Sequence, residues 1–144
     1  MLDLDPLLLI PLALVLILMA MPVLSRKRHG KVDSIDAVAL KAELHSDTKP
    51  YIFDLRPAKE FKEGHIPGAA SFDASDLVDQ AGDISSAVHR TKSEPVVLVC
   101  QSDLVSTGVY KKLKRLGWEN IRILKGGMFK WKRSFMPIES GNEY

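Results

Sequence analysis

One residue in this 144-residue chain can serve as a sulfur nucleophile: Cys100, its single cysteine. It closes the run Pro95-Val96-Val97-Leu98-Val99 and precedes Gln101-Ser102-Asp103-Leu104-Val105-Ser106. The apolar run before it is rich in β-branched residues and predicts a strand buried on both faces, as in a parallel sheet. After it, Val105, Val109, Leu113 and Leu116 recur at helical spacing among lysines and an arginine, and Gly117 marks the helix end. Cys100 is therefore expected at the carboxyl end of a strand, on the turn into a helix. Open α/β sheets carry their sites there. A turn feeding a helix can aim several backbone N–H groups inward, with the helix end adding positive potential. A thiolate over such a cradle is stabilised, and the thiolate is the nucleophile. A buried cysteine can also be a small hydrophobe; the strand–turn–helix placement favours chemistry.

Other candidates are fewer. A lone cysteine excludes an internal disulfide and any CxxC redox or zinc motif. His29, His45, His65 and His89 are scattered without metal-ligand spacing, so neither metal nor cofactor is expected. The net charge of +2 gives no argument for nucleic acid. Asp54 and Arg56 flank the end of the apolar run Tyr51–Leu55, a strand expected beside that of Cys100. There they can orient the loop or tie the fold together. His65 could shuttle protons in a Cys–His pair or serve the turn structurally. Ser102 and Ser106 could donate to a bound sulfur, or Ser106 could satisfy backbone groups in the first helical turn. Trp118, Phe129 and Trp131 are read as core. Lys111, Lys112, Lys114 and Arg115 are read as a solvated helix face.

The elements that must position these groups alternate between strand and helix. A first helix is expected within 32–45, capped by Ser34, with Ile35, Val38, Ala39 and Ala42 on its apolar face. The strand Tyr51–Leu55 leads to a short helix, Ala58–Glu63, stopped by Gly64. A turn and a short strand near Ala70–Phe72 follow, then a helical turn over Ser75–Gln80 and a weak helix around 84–90. After Cys100 and its helix come a strand at Ile121–Leu124 and a last helix at Met128–Lys132, opened by Gly126-Gly127. This order predicts an α/β domain with a mainly parallel sheet.

Ahead of the domain, Pro6 to Leu24 runs without a charge. As a helix it would extend about 28 Å, close to the hydrocarbon thickness of a bilayer. Asp3 and Asp5 precede it and Arg26, Lys27, Arg28 and Lys31 follow. Acidic residues ahead of the apolar run argue against a cleaved signal peptide. The charge asymmetry predicts a single-pass anchor, with the N-terminus outside and the following domain cytoplasmic, as in a bacterial inner membrane. The expected division is an anchor over 1–25, a basic linker over 26–31, the domain over 32–138 and a tail over 139–144.

The stretch Asp54-Leu-Arg-Pro-Ala-Lys-Glu-Phe-Lys-Glu-Gly-His-Ile-Pro-Gly-Ala69 resembles the signature of rhodanese-like sulfurtransferases. The run into Cys100 with its helix, and the tail Gly117–Trp131, resemble that family's remaining landmarks in the same order. The resemblance implies a rhodanese-like fold, a mainly parallel sheet of about five strands flanked by helices. It also implies that Cys100 takes sulfane sulfur as a persulfide and passes it to a thiol acceptor. Gln101, Ser102, Asp103, Leu104, Val105 and Ser106 match the family's cradle loop, whose backbone amides hold the sulfur. The loop has the shorter family length, suited to sulfur; the longer one accommodates phosphate in the related dual-specificity phosphatases. The family often has a basic residue after the cysteine, glycine within the loop and arginine at its end; here Gln101, Asp103 and Val105 stand there. An aspartate aimed into the cradle would oppose an anionic donor such as thiosulfate, and one that caps the helix would do so less. The implied partners are a sulfur donor, a thiol acceptor and the membrane at 6–24. The alternative is a rhodanese-fold module with little or no turnover, acting as an accessory subunit of a membrane protein complex.

Overall fold

A computed structural model of the chain describes residues 31–80 and 93–141. Within the compact unit Val32–Tyr144, five strands form one parallel sheet in the order β1-β5-β4-β2-β3. The strands are β1 (Ser34–Ile35), β2 (Tyr51–Asp54), β3 (Ala69–Ser71), β4 (Val96–Val99) and β5 (Ile121–Leu124). The helices are α1 (Ala37–Leu44), α2 (Ala58–Glu63), α3 (Ala74–Gln80), α4 (Asp103–Arg115) and α5 (Gly127–Arg133).

The all-apolar β4 is central because parallel strands must be covered on both faces. Its side chains alternate between two cores. Val96 and Leu98 join Phe53, Leu113, Trp118 and Ile121 on the face packed by α3 and α4. Val97 and Val99 join Ile52, Leu40, Met128 and Trp131 on the face packed by α1 and α5. Phe53, Leu98 and Ile123 stand level across three strands, so the carboxyl ends of β2 and β4 finish side by side.

Three expectations about helices are corrected. Ser34 does not cap a helix; it belongs to β1, and Asp36 caps α1 by accepting from the Ala39 N–H at 2.9 Å. That shift turns the helix, so Ala37 and Leu40 are buried while Val38, Ala39 and Ala42 are exposed. In α4 the buried residues are Ser106, Val109, Tyr110 and Leu113. Val105 and Leu116 are left exposed, and Tyr110 turns inward, its Oη donating to Asp33 Oδ2 at 3.1 Å. In α5, Met128 and Trp131 fill the core but Phe129 lies 56% exposed, under the Arg133 guanidinium. Lys111, Lys112 and Arg115 are exposed and Lys114 is half-buried.

The chain after α5 returns to the turn that follows α2. His65 and Glu139 exchange N–H···O bonds of 2.8 Å in both directions, Gly141 donates to the Lys62 carbonyl at 3.1 Å, and Trp131 Nε1 donates to the Pro137 carbonyl at 2.8 Å. Among the described residues no helix is long and apolar enough to cross a membrane. The anchor expected over 6–24, most of the basic linker and the helix expected at 84–90 lie outside the described residues.

Candidate active site

Cys100 follows β4 directly and is buried, at 8% exposure. It belongs to neither of the two core clusters. Its carbonyl accepts from the Met128 N–H at 2.8 Å, and the Val99 carbonyl before it accepts from the Leu55 N–H at 2.7 Å. The cysteine is thus braced on one side by β2 and on the other by the start of α5.

The residues after it change conformation within two positions. Ser102 is extended, with φ −141° and ψ 174°, and its side chain makes no capping bond; α4 begins at Asp103. Among the described residues, no protein acceptor engages the main-chain N–H groups from Gln101 to Val105. Those of Asp103, Leu104 and Val105 are the open donors that begin any α-helix, and here the helix continues for thirteen residues. Gln101, Ser102, Leu104 and Val105 are exposed. The loop offers amide donors and partial positive charge, but no cationic side chain.

Asp103 neither caps α4 nor is left without a partner. Its Oδ1 accepts from the Gly126 N–H at 2.7 Å. Its carbonyl accepts from Ser106 Oγ at 3.2 Å and Thr107 Oγ1 at 2.7 Å, so the buried Ser106 hydroxyl serves the first helical turn. The facing turn is Gly126-Gly127, both at positive φ (79° and 55°). A Cβ on Gly127 would lie 2.3 Å from the Cys100 carbonyl oxygen and 2.7 Å from that of Gln101. Only glycine lets α5 begin against the backbone of the cysteine loop. The sequence reading gave this pair no part in the site; the Gly-Gly ahead of the last helix was its visible sign.

Asp54 and Arg56 form a buried pair at the end of β2. Arg56 Nε donates to Asp54 Oδ1 at 3.0 Å and Nη2 to Oδ2 at 2.7 Å. Nη2 also donates to the Gly64 carbonyl at 2.8 Å. Both side chains are almost wholly enclosed, so the pair fastens the strand end to the turn before His65. His65 stacks flat on Phe61, centroids 3.8 Å apart, and its Nδ1 lies 2.9 Å from the Phe61 carbonyl. A carbonyl only accepts, so Nδ1 carries the proton. Among the described residues no hydrogen bond joins His65 to Cys100. The same residues include no cluster of His, Cys, Asp or Glu that could hold a metal ion.

Residues 36–134 match the family model described as Rhodanese-like domain. The chain is 27% identical over 107 residues to YtwF of Bacillus subtilis (strain 168), covering 74% of this chain and 97% of that one. It is 24% identical to the thiosulfate sulfurtransferase GlpE of Pseudoalteromonas translucida, over 69% of this chain and 89% of that one. A crystal structure of the Alr3790 protein from Anabaena sp. superposes with a TM-score of 0.64 at 31% identity, covering 74% of this chain and 82% of that one.

Proposed function

We propose, on the premise that this chain belongs to the rhodanese-like domain family, that it is a sulfurtransferase carrying sulfane sulfur as a persulfide on Cys100. Relatives named as sulfurtransferases support the reaction class. The observation that carries the reading is the cysteine at the β4 end, followed by five N–H groups that have no acceptor among the described residues. The Cys100 thiolate attacks the outer sulfur of a donor persulfide R–S–SH. The donor S–S bond breaks, R–S⁻ leaves, and Cys100–S–SH forms with no net oxidation; its proton passes to solvent or to R–S⁻, leaving Cys100–S–S⁻. An acceptor thiolate then attacks that outer sulfur and regenerates the Cys100 thiolate. Negative charge on the transferred sulfur falls where free amides and a helix start favour it. Gln101 to Ser106 supply this cradle, and Asp54, Arg56 and His65 support it through the fold. Without a cation in the loop, a thiol persulfide is a better donor than thiosulfate.

Residues 6–24 tether the enzyme to a membrane, with the domain on the cytoplasmic side. Resistance of the full chain to alkaline carbonate extraction tests the tether; release into the supernatant removes it. A second reading, an accessory binding module in a membrane complex, is favoured by Leu104, which is 84% exposed beside the site. Intact mass after incubation with glutathione persulfide separates the two. A one-sulfur adduct that Cys100→Ser abolishes supports the enzyme; no adduct with that donor or with thiosulfate favours the module.

A further inference from the structure

We infer that Asp103 is a positioning residue for sulfur transfer, holding the cysteine loop against Gly126 and so fixing the amides that receive the sulfur. The inference rests on the persulfide reading above. Two contacts between the loop and the start of α5 come from backbone alone: Met128 N–H to the Cys100 carbonyl, 2.8 Å, and the close approach of Gly127. The side-chain bond is that from Gly126 N–H to Asp103 Oδ1, 2.7 Å.

Peptide planarity gives these bonds their consequence. In a trans peptide the C=O of one residue and the N–H of the next point in opposite directions. Fixing the Cys100 carbonyl on Met128 therefore fixes the N–H of Gln101. Fixing the Asp103 carbonyl on the Ser106 and Thr107 hydroxyls likewise fixes the N–H of Leu104. Both N–H groups are among those without an acceptor among the described residues. Between these peptides the chain could still pivot about Ser102, whose own side chain makes no capping bond. The Asp103 carboxylate removes that freedom by tying the far end of the pivot to Gly126. A loop glycine could not do this, so the aspartate replaces flexibility with an anchor.

The test uses the full chain and glutathione persulfide as donor, comparing wild type, Asp103→Ala and Asp103→Asn. Asparagine keeps an oxygen acceptor for Gly126 and removes the charge. Asp103→Ala should lower kcat for sulfur uptake about tenfold, the low end for a hydrogen bond to a charged acceptor, with KM changed by less than about twofold. Asp103→Asn should recover to within about threefold of wild type. Exchange of the Gly126 amide hydrogen should quicken in Asp103→Ala and stay slow in Asp103→Asn, a readout that loss of global stability alone would not confine to this amide. An unaltered kcat in Asp103→Ala, or Asp103→Asn as slow as Asp103→Ala, overturns the inference. Should Asp103→Ala not fold, Thr107→Val decides: it removes the shorter of the two hydroxyl bonds that hold the Asp103 carbonyl and should also lower kcat, and an unchanged kcat counts against the proposal. A wild-type chain that takes up no sulfur removes the transfer reading and this proposal together. A chain that loads while Asp103→Ala loads equally removes only this one.

Discussion

Replacing Gly127 with alanine should damage the protein twice, and the two effects can be separated. At φ +55° the new side chain occupies the left-handed region, at a cost of about 1–2 kcal/mol for an L-residue. Its Cβ would also sit 2.3 Å from the Cys100 carbonyl oxygen, so either α5 or the cysteine loop must move. Forced overpacking of this kind adds about 1–3 kcal/mol. Gly68→Ala is the matched control: its φ is +76° and nothing lies within 4 Å of the added Cβ, so only the backbone term of about 1–2 kcal/mol applies. Urea unfolding of both variants should show Gly127→Ala as the less stable by about 1–3 kcal/mol. Because the displaced atom belongs to Cys100, sulfur uptake by Gly127→Ala should also slow by about ten- to a hundredfold, while Gly68→Ala keeps its rate. Equal midpoints for the two variants, or full activity in Gly127→Ala, would refute the claim that the glycine pair shapes the loop.

Arg56→Met should cost about 3–5 kcal/mol in the same unfolding assay, because it leaves the fully enclosed Asp54 carboxylate without its partner; a loss under about 1 kcal/mol would show that solvent reaches the pair. Arg122 donates two bonds to Glu43 and holds that carboxyl below the usual carboxylate range, the hydrogen bond being the largest cause. A depressed folded-state value means stability is present at neutral pH and lost as pH falls through it. Arg122→Gln should therefore lower stability by about 0.5–1 kcal/mol at pH 7, the pair being partly screened by solvent, and the gap to wild type should close below the usual carboxylate range. Trp131→Ala should cost about 3–5 kcal/mol and Phe129→Ala less than about 1 kcal/mol, a contrast that thermal unfolding reads directly.

What could be read along the chain was whatever depends on near neighbours. The unbroken Val96–Val99 run announced a strand covered on both sides, and the carboxyl end of that strand located Cys100. Helix faces were read less well. Ser34 and Ile35 resemble a helix start, but Ile35 is claimed by β5, which pushes the cap to Asp36. Tyr110 was passed over for Val105 because its hydroxyl partner, Asp33, lies 77 residues away. Phe129 counts as apolar in any pattern, yet α5 offers the core only its Met128 and Trp131 face. The role of Asp103 had no local sign at all. A carboxylate at a helix start suggests a cap, and only the meeting of α4 with the turn before α5 supplies the Gly126 amide that it holds.

The return of the chain onto the turn after α2 bears on where this domain can be cut. The family match stops at residue 134, but Glu139 and Gly141 still hold the His65 backbone and the Lys62 carbonyl. A fragment trimmed to the matched region would strip these bonds from a buried histidine and leave the indole of Trp131 without the Pro137 carbonyl. For expression or fusion work, the natural stopping point lies beyond Gly141.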